Sequence, residues 1–507
     1  MPAFQESLRL AHRVYEEATG PACHTLAQLG FDQPYQALRR LDLLVDLAGP
    51  VYALDPPVSL LAAVSQSVQP DQALQRLERF LQRAGGITAL HHRTNDTPIL
   101  GQQLAQILSY SGFLTDALMR DPAHLYWLLV ETAHLSQPLA LSALRRALIQ
   151  ETDSDDPLAD LYRFQRRELL RLGAAQVLGM KDVRQVGREL ADLADGIVDQ
   201  ALKWAWEELL PRWGRPQDQC GRLAKFCVVA LGKYGGQELN YSSDVDLLFI
   251  YDEEGETRAP RGGYSVDNGQ FFRRLGERLI QLLTAMTGEG FFYRVDMRLR
   301  PDGIDGALVR PLASYLSYYG ERGELWERQM LIKARRAAGS TQVWQRFRQM
   351  LVPFVFPGHF ADDPRQEIAR VKQRIEAEIA SRAGDNNIKL QPGGIRDIEF
   401  IVQCLQLLNG HTHPQIRSHN TLTTIELLRR AGLLAPVDAQ TLKEAYRFLR
   451  QLENLLQIQE AQPVYAVPEE EEARQILTEL MELDEPLEAV LEGHCQGVRR
   501  LYNAVFS

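Results

Sequence analysis

Asp244 and Asp246 stand two positions apart at the head of an apolar run, Asp244 to Tyr251 (DVDLLFIY). Such a run reads as a buried strand, in which residues i and i+2 project from one face about 6.6 Å apart. The two carboxylates are expected to point together, while Val245, Leu247 and Phe249 face the core. Acids converging from one strand can hold two divalent ions about 3.5–4 Å apart, stabilising the attacking and leaving oxygens of an in-line displacement at phosphorus. A third carboxylate is expected from a neighbouring strand, and Asp296 fits, 52 residues after Asp244. It lies in Phe291 to Arg300 (FFYRVDMRLR), read as a third strand closed by Pro301. Alternation there puts Arg294, Asp296, Arg298 and Arg300 on one face and Val295, Met297 and Leu299 on the other. Turned to solvent, that face is an ordinary charged surface. Turned to Asp244 and Asp246, it is a metal ligand among phosphate-binding guanidiniums.

Twelve positions before Asp244, Gly232 opens the turn Gly232-Lys233-Tyr234-Gly235-Gly236. Gly232, Gly235 and Gly236 let backbone N–H groups approach phosphate oxygens, and Lys233 adds a positive charge. No G-K-[ST] ends the turn, so it is not a Walker A loop. Ser243, immediately before the acids, joins this nucleotide-binding set. Helical spacing places Arg328 and Arg335 on one face, with Lys333 beside them, either contacting phosphate or solvated. From Arg294 to Arg336 there are nine basic residues against six acidic ones, a stretch suited to a small anionic ligand or to an exposed surface.

These residues need a scaffold. Phe226 to Leu231 (FCVVAL) reads as a buried strand before the glycine turn, and Asn268 to Thr287 as a helix with Phe272, Leu275, Leu279, Leu282 and Leu283 inward. Strand signals vanish after about Gly339, where helices are expected over 395–409, 421–432, 438–459 and 470–482. Upstream, helices are expected around 73–84, over 98–130 with a break at Asp121-Pro122, and over 158–178 and 182–209. The acidic stretch Glu151 to Asp156 reads as a linker. The fold class is α+β: a helical extension at 1–93, a helical segment at 94–210, a core with a small mixed sheet at 211–345 that carries the acids, and a helical bundle at 346–507. Pro392-Gly393-Gly394 should start a helix with Ile398, Ile401, Val402, Leu405 and Leu408 buried. Arg396, Asp397 and Glu399 then sit at its N-terminus, either capping it or meeting an anion.

Composition narrows the class. The 507 residues are 45% apolar and 24% charged, as in an ordinary globular protein. A net charge of −10 argues against broad nucleic-acid binding. No apolar stretch is long enough to span a membrane, and Met1 to Tyr15 lacks the pattern of a signal peptide. Five scattered cysteines, without a C-x-x-C pair, suggest neither a disulfide framework nor a zinc site. A cytoplasmic protein is expected.

The run G-K-x-G-G-x-E-L-N-x-x-S-D-x-D-L-x-F resembles the polymerase-β-like nucleotidyltransferases, and within them the glutamine synthetase adenylyltransferase/adenylyl-removing enzymes. RVDMRLRP at 294–301, Trp326-Glu327-Arg328 with Lys333-Ala334-Arg335, GGIRDIEF at 393–400 and FLRQLEN at 448–454 are similar to further motifs of that family. The resemblance covers roughly residues 94–465. It implies Mg²⁺, two ions in number, held by Asp244, Asp246 and Asp296, with ATP, ADP and phosphate as substrates or products. It also implies glutamine synthetase as the protein substrate and the PII signalling protein as regulator. Family enzymes join two similar halves, whereas this chain resembles one, so the second adenylyltransferase half is expected on another chain or is missing from this one. The wording of its motifs resembles the amino-terminal half, which removes AMP from a tyrosine of glutamine synthetase by phosphorolysis. The alternatives are attachment of AMP from ATP, an RNA-directed transferase of the same superfamily, and a catalytically silent regulatory scaffold.

Overall fold

The computed structural model describes residues 20–48, 58–84, 96–130, 133–138, 140–152, 154–259, 264–286, 290–380, 387–460 and 462–507. Among these residues the seven strands are β1 (Arg215–Asp218), β2 (Phe226–Ala230), β3 (Val245–Tyr251), β4 (Gly255–Arg258), β5 (Val295–Asp296), β6 (Val309–Pro311) and β7 (Arg335–Gly339), and almost everything else regular is helix. The stretch Met1 to Tyr15 lies outside the described residues. Of the expected N-terminal extension, the helices Pro34–Ala48, Val58–Ser65 and Pro70–Ala84 are described.

A mixed sheet occupies the middle of the chain. β2 runs antiparallel to both β3 and β7, while β5 and β6 lie parallel to β3 along its other edge. Every residue of β2 is buried, because helices cover both faces of the sheet. Phe226 and Val228 join Val245, Leu247 and Phe249 in one apolar layer with the helices Val183–Trp213 and Asn268–Thr284. Cys227 and Val229 join Leu248 and Ile250 in the opposite layer, with Tyr315 and Phe347 from the helices Leu312–Glu321 and Thr341–Val355. Asp246 shares the parity of Leu248 and Ile250, so it emerges on this second side, where the C-terminal helices stand.

Local chemistry sets the helix boundaries. Asp182 and Gln185 form a capping box at the head of Val183–Trp213, and Asp267 accepts the Gln270 N–H at 2.7 Å to start Asn268–Thr284. The expected break at Asp121 holds: Asp121 ends Gly112–Arg120, and the 98–130 stretch is three helices. In the expected linker, Leu141–Glu151 ends and Asp156 caps Pro157–Val177. The helices Ile395–Asn409, Thr421–Arg430, Pro436–Glu460 and Glu471–Leu480 follow their expected positions. The five cysteines are free, and among the described residues no helix is long and apolar enough to cross a membrane.

Several sequence expectations need correction. The strand expected over 291–300 is only Val295–Asp296, because the Arg298 N–H turns back onto Asp296 Oδ1 at 2.8 Å and the chain leaves the sheet. The four-residue face from Arg294 to Arg300 is thereby broken. β6 and β7 were not anticipated; RRAAG offers no alternation and few β-formers, and pairing with β2 overrides propensity. Arg328 and Arg335 do not share a helical face, since Leu325–Leu331 ends before Arg335 opens β7. In Ile395–Asn409 the buried stripe includes Ile395, Cys404 and Leu407, while Leu408 is exposed and Leu405 only half-buried. Asp397 is fully buried there, accepting the Gly393 N–H at 2.7 Å and pairing with Lys372 and Arg499, so it anchors the bundle rather than facing a ligand.

Candidate active site

β3 and β5 build the site from its floor. Their parallel register sets Val245 beside Val295 and Asp246 beside Asp296. Asp246 is largely buried, and that burial, with the like charges of Asp296 and Asp244, pushes its carboxyl up to about 6. Asp296 moves the other way: the Arg298 guanidinium, bonded to it at 2.6–3.1 Å, holds it below the usual carboxylate range. Asp244, just ahead of β3, is half-exposed and paired with Arg294 at 2.5 Å. Gly232 is required here by space. Its φ is +54°, and a Cβ built on it would lie 2.3 Å from Asp246 Oδ2.

A cleft of about 800 Å³ opens over these acids. Gly232, Lys233, Ser243, Asp244, Asp246, Asp296, Arg298, Lys333, Arg396 and Glu399 line it, all named from sequence. Other expected residues are not brought into it. Gly235 and Gly236 sit behind the turn, where a Cβ would strike the Lys333 carbonyl at 2.1 Å and Glu238 at 2.8 Å. Arg300 donates to the carbonyls of Met297, Ile304 and Gly306 at 2.7–3.0 Å, which closes the turn after β5. Arg328 lies over the Phe354 ring, 4.1 Å from its centroid. Arg335 is paired with Asp195 at 2.5 Å and lines a different cavity.

Lys333 reaches the cleft with its charge already answered. Its ammonium is 2.8 Å from both Glu238 and Glu399. Burial opposes the charged form, but the two carboxylates win and raise the Lys333 pKa. Burial likewise opposes ionised Glu399, yet Lys333 and Arg396 hold it down at about 2.

Residues beyond the sequence reading complete the site. The helix Pro436–Glu460 buries Arg450, Glu453, Asn454 and Gln457 on one face, at spacing i, i+3, i+4 and i+7. Arg450 pairs with Glu453 at 2.7 Å, Glu453 lies 3.4 Å from Lys233, Asn454 accepts from Asn240 at 2.7 Å, and Gln457 accepts the Ser242 N–H at 3.2 Å. This face grips the loop that delivers Asp244. Ser243 is tied in as well, accepting the Asn240 N–H at 3.1 Å. Burial pulls the Lys233 ammonium down to about 8, against the attraction of Glu453. Lys389 and Tyr465 enter together, because Ile388 N–H bonds the Tyr465 carbonyl at 3.0 Å. The Lys389 ammonium lies 4.7 Å from the Tyr465 ring centre. The signal for the helix face was legible: four polar residues at the positions of an apolar stripe, three of them within the FLRQLEN run. Lys389 had no such signal.

Charge in the cleft divides by place. The three aspartates gather at the floor, while Lys233, Lys389, Arg396 and Arg450 stand on the walls, and the whole lining has seven basic residues against five acidic. The Arg396 Nε–H is buried without an acceptor. A hard cation suits the floor by donor type, since all three groups are carboxylates. Among the described residues no three acidic, histidine or cysteine side chains are already gathered for one ion, and two of the acids are turned to arginines instead. Arg298 is three-quarters exposed, so releasing Asp296 requires only the movement of a solvated side chain.

Residues 101–350 match the family model of glutamate-ammonia ligase adenylyltransferase. Residues 368–506 match that of GlnD PII-uridylyltransferase. The first match contains the sheet and the aspartates, and makes this region similar to the adenylyltransferase family. The second contains Lys389, in the turn ahead of Ile395–Asn409, and the helix Pro436–Glu460 that contributes Arg450 and Glu453.

Proposed function

We propose that this chain is a Mg²⁺-dependent nucleotidyltransferase that removes AMP from an adenylylated tyrosine of glutamine synthetase by phosphorolysis, releasing ADP. The observation that carries the reading is the pairing of Asp246 with Asp296 across β3 and β5, beside Asp244 and against Gly232, in a region that matches the adenylyltransferase family. Asp244, Asp246 and Asp296 would hold Mg²⁺ once Arg294 and Arg298 swing off them. Mg²⁺ in such a site supplies charge stabilisation to the attacking and leaving oxygens of an in-line displacement. The chain's own groups do the rest. Lys233, Lys389 and Arg396 bind phosphate oxygens on the walls, and the freed guanidiniums of Arg294 and Arg298 add donors above the floor. Glu453 and Asn454 keep the Asp244 loop in place.

Direction rests on two supports: the likeness of the motifs to the amino-terminal half, and the surplus of cations in the cleft, which suits free phosphate beside the AMP phosphorus. A second reading, attachment of AMP using ATP, is favoured by the description of the matching family as an adenylyltransferase. The same cations would then meet the β- and γ-phosphates. PII is proposed as a regulator by analogy alone. Incubating the chain with adenylylated glutamine synthetase, Mg²⁺ and phosphate, and separately with unmodified enzyme, Mg²⁺ and ATP, distinguishes the two. ADP release in the first mixture supports phosphorolysis; AMP incorporation only in the second reverses the direction.

A further inference from the structure

We infer that the chain carries a second anion site, for a small organic carboxylate or phosphate with a compact apolar body, in a cavity distinct from the aspartate cleft. That cavity has a volume of about 410 Å³ and forms where Thr341–Val355, the start of β7 and the loop after Ile395–Asn409 meet. It is bounded from both matched regions, since Arg335 and Arg348 lie in the first and Arg417 and His419 in the second.

The lining carries three cations, Arg335, Arg348 and Arg417, beside a neutral His419 and, among the described residues, no acidic side chain, in a chain of net charge −10. Their existing partners leave charge over. Arg335 is answered from behind by Asp195, yet its buried Nε–H has no acceptor. Arg417 donates to the carbonyls of Gly410 at 2.6 Å and His411 at 3.3 Å, which are neutral. Arg348 is exposed and makes no ion pair among the described residues. Concave surfaces lined by one sign of charge concentrate counter-ions, and the usual small-molecule site is an apolar cavity with a few convergent polar groups. Trp344 and Phe356 supply apolar wall, which a bare inorganic ion would leave uncovered. A zwitterion fits poorly, because its ammonium would find no carboxylate.

The position gives occupancy a route to the cleft. Two residues beyond His419, Thr421 donates its N–H and its hydroxyl to Glu238. Glu238 in turn holds Lys333, which lines the aspartate cleft. A ligand drawing on Arg417 and His419 therefore pulls on the loop that fixes Glu238.

Calorimetric titration of the full chain with phenyl phosphate, benzoate and neutral benzamide tests the site without any activity assay. At least one anion should bind saturably and benzamide should not; the preferred anion identifies the headgroup. Arg348→Glu should weaken that binding at least 10-fold with the melting temperature unchanged, Arg348→Lys should restore most of it, and Asp246→Asn should leave it intact. Absence of binding by both anions overturns the inference. So does equal binding of benzamide, or affinity that survives Arg348→Glu and is lost on Lys389→Ala, which would locate the anion in the aspartate cleft.

Discussion

Asp246 and Asp296 are side-by-side partners on adjacent parallel strands, and their shared register forces two carboxylates together at the floor of a cleft. Their repulsion, added to the burial of Asp246, is an energetic cost that the fold carries at this point. Asp246→Asn should therefore separate stability from activity. Turnover with Mg²⁺ is expected to fall by about 10³-fold or more. Thermal stability should stay level or rise, because a buried charge facing like charges is removed. Steady-state rates and melting curves of the same preparation check both parts; near-normal turnover would remove Asp246 from the catalytic set.

Arg298 and Lys389 should respond alike in binding. Arg298 is exposed and pairs only locally, so Arg298→Ala should change stability by no more than about 0.5 kcal/mol. Lys389 has an aromatic neighbour in place of an ion-pair partner among the described residues. Lys389→Ala and Arg298→Ala are each expected to raise the KM for phosphate or nucleotide several-fold. An unchanged KM alongside lowered stability would make either residue structural.

Lys333 is predicted to be needed for folding first. Lys333→Met leaves Glu238 and Glu399 buried without their shared cation, and such a loss costs about 3–5 kcal/mol. Denaturant titration measures it. A stable Lys333→Met protein with impaired phosphate binding would return Lys333 to the ligand-binding role expected from sequence.

The contrast between Asp246 and Lys333 shows what was legible. The acids, the glycine turn, the strands β2 and β3 and the long helices each carry a local pattern, and those patterns set their places. Contacts between distant segments carry none. Lys333 reads as one more cation until Glu238 and Glu399 close on it, and Arg300 as one more guanidinium until its turn wraps it. Lys389 enters the cleft only because Ile388 pairs with Tyr465 across the bundle. The β7 strand exists through its pairing with β2, a relation its own five residues do not encode.

His419 predicts a pH dependence. Burial and the cations Arg335, Lys333 and Arg348, opposed by Glu238, lower its pKa from 6.5 to about 4. The unfolded chain thus binds a proton more readily between those values, so stability is complete above about 6.5 and declines as pH falls toward 4. The loss should reach at most about 3 kcal/mol, and His419→Gln should flatten that limb of the stability curve. An acid limb unchanged in the variant would assign the sensitivity to other groups.

The most direct test of the account is phosphate-dependent release of ADP. The full chain is mixed with adenylylated glutamine synthetase, Mg²⁺ and inorganic phosphate, beside a reaction containing EDTA and one with Asp246→Asn. The account predicts ADP and unmodified glutamine synthetase in the first reaction and neither in the other two. Release that persists in EDTA and with Asp246→Asn would contradict it, as would the absence of release together with robust AMP attachment from ATP.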